Sequence, residues 1–169
     1  MKNIVLTGFM ASGKTETSKD LSRITSFKLV DTDDMIVKRE GKSINEIFSE
    51  NGEEYFRKAE SEIIKEVSGF KNSVISTGGG VVLNKENIEN LRVNSIIFCL
   101  SPSFDVIKER MEEAAKSRPL MKNAGIDEIY QRFLQRQPYY DNCDYKIDIT
   151  SVHTPLMIAK RIWEIYKEV

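Results

Sequence analysis

One glycine-rich segment constrains the fold of this chain more than any other part of it. Residues 8–15 read Gly-Phe-Met-Ala-Ser-Gly-Lys-Thr, which fits the pattern G-x-x-x-x-G-K-[ST]. The apolar run Asn3 to Thr7 precedes this segment, and a helical pattern from Lys14 to Ile24 follows it. Glycines allow backbone N–H groups to point at an anion, and a helix N-terminus adds a positive dipole. The segment therefore predicts a strand, a phosphate-binding loop and a helix, in that order.

The residues of this loop have separate expected roles. Lys14 would reach the outer phosphates of a nucleotide, and the hydroxyl of Thr15 would ligate Mg²⁺. The loop residues expected to bind ATP are Gly8, Ala11, Ser12, Gly13, Lys14, Thr15 and Glu16. A glycine turn without a ligand is the alternative, but the register of strand, loop and helix favours nucleotide binding. The loop alone does not separate kinases from GTPase switches or motor ATPases.

Four more short apolar runs indicate the remaining strands, and longer helical patterns separate them. These runs are Lys28 to Val30, Ser73 to Ser76, Ser95 to Leu100 and Tyr145 to Ile149. Nearly continuous apolar character is typical of strands that are buried on both faces of a parallel sheet. The sequence therefore predicts an α/β, three-layer P-loop NTPase fold with a five-stranded parallel sheet. We expect one kinase domain over residues 1–169, with a substrate-binding segment at about 32–60 and a lid loop at 112–125.

Composition excludes several classes of partner. Lys and Arg number 25 and Asp and Glu number 26, so no overall basic field exists for nucleic acid or an anionic membrane. The apolar runs are too short to span a bilayer, and the chain starts without a signal-peptide pattern. We therefore expect a cytoplasmic monomer whose partners are small molecules.

Acidic residues follow the second predicted strand. Asp31-Thr32-Asp33-Asp34 would lie at the C-terminal edge of the sheet, where ligands of open α/β folds bind. One carboxylate could hold Mg²⁺ through its water shell, while the other accepts a hydrogen bond from a substrate hydroxyl. A cluster that caps the next helix is the alternative interpretation.

Two further patterns would reach the same edge of the sheet. The third strand ends in Thr77-Gly78-Gly79-Gly80, where missing side chains permit a ligand or backbone to approach closely. Arg57 and Glu60 share one face of a helix at i and i+3. Two interpretations of this pair remain equally open. It could form an ion pair on the surface, or Arg57 could present its guanidinium to the carboxylate of an anionic substrate.

These patterns together resemble the shikimate kinase family, in the right order and over nearly the whole chain. Besides the phosphate loop, the resemblance rests on Asp31-Thr32-Asp33, the segment Gly52 to Glu60, the segment Ser76 to Gly80, Arg118-Pro119-Leu120 and the segment Arg136 to Tyr140. The resemblance implies the ATP-dependent phosphorylation of shikimate to shikimate 3-phosphate, a step of chorismate and aromatic amino acid biosynthesis. It also implies Mg²⁺ as the cofactor.

The resemblance carries expected roles to individual residues. It implies a shikimate site made of Asp33, Arg57, Glu60, Gly78, Gly79, Gly80 and Arg136. Arg57 and Arg136 would hold the carboxylate, and Asp33 would hold the hydroxyls. Asp31 would assist Mg²⁺, and Arg110 would lie near the adenine. Lys14, Asp33 and Arg118 are the expected catalytic residues, with Arg118 closing on the ATP phosphates from the lid.

The chain departs from the family pattern at three positions. Ala11 replaces a common glycine, Glu16 replaces a small hydroxyl residue, and His153 stands where arginine is frequent; we assign no role to His153. Other P-loop kinases, of the gluconate or nucleoside monophosphate type, are the first alternative. A nucleotide-dependent regulatory module is the second, but the sequence lacks the guanine-reading pattern N-K-x-D, since residues 84–87 read Asn-Lys-Glu-Asn.

Overall fold

A five-stranded, entirely parallel sheet forms the centre of the molecule. The computed structural model describes residues 1–117 and 125–169. The strands are β1 (Asn3–Thr7), β2 (Lys28–Asp31), β3 (Ser73–Ser76), β4 (Ser95–Pro102) and β5 (Tyr145–Ile149). Their order across the sheet is β2-β3-β1-β4-β5. The predicted α/β fold class is confirmed; β2 continues one residue beyond its predicted end and β4 continues to Pro102.

Within the described residues, seven α-helices connect and flank these strands. They are α1 (Lys14–Thr25), α2 (Thr32–Glu40), α3 (Ile44–Ser68), α4 (Lys85–Arg92), α5 (Phe104–Ser117), α6 (Ile126–Tyr140) and α7 (Pro155–Lys167). Local sequence sets several of their ends. The side chains of Ser43 and Glu46 form a reciprocal capping box at the start of α3. Thr154 accepts a hydrogen bond from the Met157 backbone N–H and thereby caps α7.

Gly52 interrupts α3, whose two helical segments meet there at a kink. The residue has φ 85° and ψ 172°, a conformation that is strained for any side chain and open to glycine. The helix resumes after the bend and continues to Ser68. The bend therefore sets the direction of the second half of α3, which carries Arg57 and Glu60.

Two apolar clusters lie on opposite faces of the sheet. On β1, Ile4 and Leu6 belong to one cluster and Val5 to the other, as the alternation of side chains along a strand requires. The cluster around Val5 includes residues of α3 and α4, whereas the cluster around Ile4 includes residues of α1 and α7. The sheet is thus covered on both faces by apolar packing.

The predicted lid lies only partly within the described residues. Helix α5 continues to Ser117, so the loop prediction is wrong for residues 112–117. The sequence Glu-Glu-Ala-Ala-Lys is polar, as loops often are, but it consists of good helix formers, and it continues the helix. Residues 118–124, with Arg118, lie outside the described part of the chain. No helix in the described ranges is long and apolar enough to span a membrane.

Candidate active site

The C-terminal ends of three neighbouring strands bring the predicted site together. Strand β3 lies between β2 and β1, and all three are parallel. Thr77, just after β3, donates from its backbone N–H and its hydroxyl to the Leu6 carbonyl at 3.2 and 2.9 Å. Gly78 donates its N–H to the Thr32 hydroxyl at 3.3 Å. The segment around the triple-glycine turn is therefore tied both to β1, which leads into the phosphate loop, and to the start of α2.

The phosphate loop follows β1 and leads into α1. Gly13 is the N-cap residue of α1, so the loop ends at a helix N-terminus that is free to face an anion. Ala11 adopts a left-handed conformation with φ 57°. This conformation favours glycine, so alanine adopts the loop shape at some cost.

Lys14 folds back over this loop. Its Nζ atom donates to the carbonyls of Gly8 and Phe9 at 2.7 and 3.0 Å and to the Ser12 hydroxyl at 3.3 Å. Burial lowers the pKa of Lys14 to about 8, while the nearby carboxylate of Asp33 acts in the opposite direction. The ammonium thus lies inside the cradle that phosphate oxygens would enter.

Arg110 joins the phosphate loop from α5. Its Nη1 donates to the Ala11 carbonyl at 3.0 Å, and burial lowers the pKa of its guanidinium. A cavity of about 320 Å³ extends from the loop to this side chain. Of the other predicted ATP ligands, Thr15 is exposed at the start of α1, and Glu16 pairs with Lys19 at 2.7 Å.

Asp31 performs the capping role that the sequence left open. Its Oδ1 atom accepts hydrogen bonds from the N–H groups of Asp33 and Asp34 at 2.9 and 3.2 Å, so it is the N-cap of α2. Burial raises the pKa of this carboxyl. A carboxylate at this position and the exposed Thr15 hydroxyl are hard oxygen donors of the kind that Mg²⁺ takes alongside water and phosphate. The donor chemistry fits the metal.

Three polar side chains surround the triple-glycine turn. A Cβ atom added to Gly78 would lie 2.8 Å from Asp33 Oδ1 and 3.1 Å from Glu60 Oε2, and one added to Gly80 would lie 2.6 Å from Arg57 Cζ. A side chain at either position would displace these polar groups from the turn. The turn, α2 and α3 thus meet at one point.

Arg57 and Glu60 form a buried ion pair. Arg57 Nη1 lies 3.0 Å from Glu60 Oε1, and the Glu60 side chain is only 1% exposed. This burial excludes the surface ion pair that the sequence left open. Arg57 Nε is 3.6 Å from Glu53 Oε1, beyond hydrogen-bond distance.

Several polar atoms of this cluster have no hydrogen-bond partner. Among the described residues, these atoms are Asp33 Oδ1, Glu60 Oε2 and Arg57 Nε, and all three are buried. Burial raises the pKa values of Asp33 and Glu60, and the positive charge of Arg57 opposes both shifts. Unpaired buried polar groups cost stability, and they occur at sites that a ligand completes.

Helix α6 contributes Arg136 and a residue that the sequence prediction missed. A Cβ atom added to Gly79 would lie 3.8 Å from Arg136 Nη1, so this guanidinium also reaches the turn. The missed residue, Tyr140, donates its hydroxyl to the Gly79 carbonyl at 2.6 Å. The spacing of Arg136 and Tyr140, which places both on one helix face, was the available signal.

The structure thus gathers the predicted residues that it describes. Lys14, Asp33, Arg57 and Arg136 approach the loop and the glycine turn from four different elements. Arg118 lies outside the described residues. The class of the protein is that of the P-loop phosphotransferases. Its features here are a parallel sheet that leads into a phosphate loop and an acid and arginines beside that loop.

Comparisons with known proteins identify the family. The family model described as shikimate kinase matches residues 10–167. A shikimate kinase of Caldicellulosiruptor bescii is 43% identical over 167 residues, which cover 98% of this chain and 96% of that protein. The solved structure of a shikimate kinase from Acinetobacter baumannii in complex with shikimate has a TM-score of 0.88 and 28% identity. The match covers 99% of this chain and 94% of that one.

A solved shikimate kinase from Aquifex aeolicus is also similar. It has a TM-score of 0.81 and 36% identity, and the match covers 98% of this chain and 96% of that one. The chain belongs to the shikimate kinase family. The resemblance found in the sequence is therefore confirmed at the level of the family and the fold.

Proposed function

We propose that this chain transfers the γ-phosphoryl group of ATP to a hydroxyl of shikimate and forms shikimate 3-phosphate. Family membership supports the reaction. The observation that carries the site is the set of unpartnered atoms around the triple-glycine turn: Asp33 Oδ1, Glu60 Oε2 and Arg57 Nε. A compound with both hydroxyl and carboxylate groups offers a donor to the acids and an acceptor to the arginine.

The substrate half of the site would hold both ends of shikimate. Arg57 and Arg136 approach the same turn from α3 and α6 and present planar forks that match a carboxylate. Glu60 holds Arg57 in place through the buried ion pair. The glycines at 78–80 leave space beside these groups for the ring of the substrate.

The nucleotide half would hold ATP by its phosphates. The loop backbone from Gly8 to Gly13 and the N-terminus of α1 supply N–H groups, while Lys14 supplies a positive charge. Glu16 and Arg110 border this pocket, and we assign Arg110 to the side of the nucleobase. Arg118 would act on the phosphates from the lid.

Mg²⁺ is the proposed cofactor, bound by the Thr15 hydroxyl and, through water, by Asp31. When bound, the ion neutralises charge on the ATP phosphates. We propose that Asp31 keeps its capping bonds to α2 in this role, because a ligand that acts through water does not need to leave the helix.

Positioning and charge account for most of the proposed catalysis. Asp33 would accept a hydrogen bond from the attacking hydroxyl on its free Oδ1 and take the proton late, since a loose transition state leaves the nucleophile little acidified. Lys14 would neutralise charge on the transferred group. Its pKa of about 8 leaves the ammonium mainly protonated at neutral pH, and bound phosphates raise that pKa further.

We propose one kinase domain over residues 1–169 that acts as a cytoplasmic monomer on small molecules. The test of the activity is a coupled assay of ADP release with MgATP. The expected result is rapid ADP release with shikimate and little release without it. Gluconate and nucleoside monophosphates serve as competing acceptors, and a higher kcat/KM with any of them would refute shikimate as the substrate.

A further inference from the structure

Tyr140 links the last turn of α6 to the triple-glycine turn. The two partners are far apart in sequence, yet the Tyr140 hydroxyl donates to the Gly79 carbonyl at 2.6 Å. The Tyr140 side chain is buried, with 3% of its surface exposed. A buried phenol hydroxyl normally finds such a partner, and this one finds it in the middle of the proposed substrate site.

Gly79 lies where three parts of the site meet. A Cβ atom added to it would lie 3.6 Å from Met10 N and 3.7 Å from Gly8 O, both in the phosphate loop. The same atom would lie 3.8 Å from Arg136 Nη1 on α6. A shift of Gly79 would therefore change the spacing between the nucleotide half, the glycine turn and the arginine fork.

Helix α6 is held against this junction at two points. Near its middle, Phe133 packs edge-on against Phe9 of the phosphate loop with ring centroids 5.4 Å apart. At its end, Tyr140 holds Gly79. Arg136 lies between the two contacts and, being four residues from Tyr140, shares its helix face. The orientation of the Arg136 guanidinium thus depends on both contacts.

The phenol of Tyr140 is fixed as a hydrogen-bond donor. Burial raises its pKa to about 12, although the neighbouring positive charge of Arg136 acts in the opposite direction. The group therefore stays protonated at working pH and does not exchange a proton with substrate. Its effect on the reaction must be exerted through the residues that it holds.

We propose that Tyr140 is a positioning residue that sets the affinity for the acid substrate, because it fixes Gly79 and Arg136 relative to each other. This inference rests on the proposed shikimate site. The substitution Tyr140→Phe retains the buried ring and removes only the hydroxyl. It therefore leaves the Gly79 carbonyl without this donor and releases one of the two contacts that hold Arg136.

The test compares Tyr140→Phe with Tyr166→Phe. Tyr166 makes a bond of the same length, since its hydroxyl donates to the Lys2 carbonyl at 2.6 Å, but it lies on α7 on the opposite face of the sheet. We expect Tyr140→Phe to raise the KM and Kd for shikimate about tenfold, because the loss of one buried hydrogen bond has an effect of this size. The KM for ATP should stay within about twofold of the wild-type value. Tyr166→Phe should lower the melting temperature similarly and leave both KM values within about twofold.

Three outcomes would overturn the proposal. The first is a shikimate Kd within about twofold of wild type in Tyr140→Phe. The second is an equal rise of both KM values, and the third is the same rise in Tyr166→Phe, because either would indicate general loosening of the fold.

An Arg57→Ala variant separates the proposed role of Tyr140 from the proposed shikimate site. If it raises the shikimate KM while Tyr140→Phe does not, only the role of Tyr140 fails; if neither does, the proposed site fails with it.

Discussion

The two halves of the site differ in how their polar groups are satisfied. In the phosphate loop, Lys14 makes three hydrogen bonds to loop oxygens, and the cradle is formed by one continuous segment. Around the triple-glycine turn, side chains from α2 and α3 meet, and Asp33, Arg57 and Glu60 each retain an atom without a partner. The side chain of Lys14 is therefore paired within the phosphate loop, whereas the proposed substrate half retains buried polar atoms without a protein partner.

This difference shows where the fold gives up stability for binding. An unpaired buried polar group costs about 1–3 kcal/mol, and the rest of the structure must hold such groups in place. Asp33 and Arg57 lie so close to the glycine turn that Cβ atoms added to Gly78 and Gly80 would collide with them. Substitutions in the substrate half should consequently impair function more than they impair stability.

Among the substitutions that test this difference between the two halves, Asp33→Asn should lower activity the most. Asparagine nearly preserves the shape but removes the charge and the proton acceptor, so we expect kcat to fall by ~10²–10⁴-fold. The affinity for ATP should stay within about twofold. Burial raises the pKa of Asp33, so the variant should be at least as stable as the wild type in urea unfolding. Near-normal turnover would refute the catalytic role.

The buried charge of Lys14 should appear in the pH dependence of stability. Its folded-state pKa of about 8 lies below its ordinary value of 10.5, so the unfolded chain binds more protons between these values. The wild type should therefore gain up to about 3 kcal/mol in unfolding free energy relative to Lys14→Met as the pH rises from 8 to 10.5. Parallel urea titrations of both proteins measure this difference. A difference that is constant with pH would show that the lysine charge is well solvated.

Arg57→Ala should separate the two halves by their KM values. The substitution removes a charged fork from the substrate half, so we expect the shikimate KM to rise by ~10–100-fold and the ATP KM to stay within about twofold. Arg92→Ala is a matched control. Arg92 is the last residue of α4, outside the proposed site, and its Nε atom lies 3.2 Å from Asp144 Oδ1. Equal weakening of both substrates by Arg57→Ala would contradict the division of the site.

The smallest effect is expected at Ala11 in the nucleotide half. Its left-handed φ of 57° costs alanine about 1–2 kcal/mol, and glycine adds about 0.4–1 kcal/mol of unfolded-state entropy. Ala11→Gly should therefore stabilise the protein by no more than about 1 kcal/mol in chemical unfolding. Ser26→Gly offers a comparison at φ 59° on the end of α1, away from the substrate half, and should change stability with the same sign. A clear loss of stability in Ala11→Gly would show that the loop is not strained.

Particular elements show how far local sequence patterns predict this structure. The bounds of β1, β3 and β5 agree with their predicted bounds: β1 and β3 are buried along their whole length, and β5 alternates apolar with charged residues, a period-2 pattern typical of a half-buried strand. The end of β2 was placed early, since Asp31 both ends the strand and caps α2. Residues 112–117 were mistaken for a loop, because polar helix formers at the end of α5 lack an apolar stripe.

The sequence by itself determined the phosphate loop and its strand and helix, because the groups that form the phosphate cradle lie within one short segment and act through local backbone geometry. Only the tertiary structure decided the substrate half. The order β2-β3-β1 brings Asp33 and Gly78 together, and the bend at Gly52 directs Arg57 and its buried partner toward them. Burial and long-range packing, which local spacing does not encode, turned an ambiguous ion pair into a buried one and gave Tyr140 its partner.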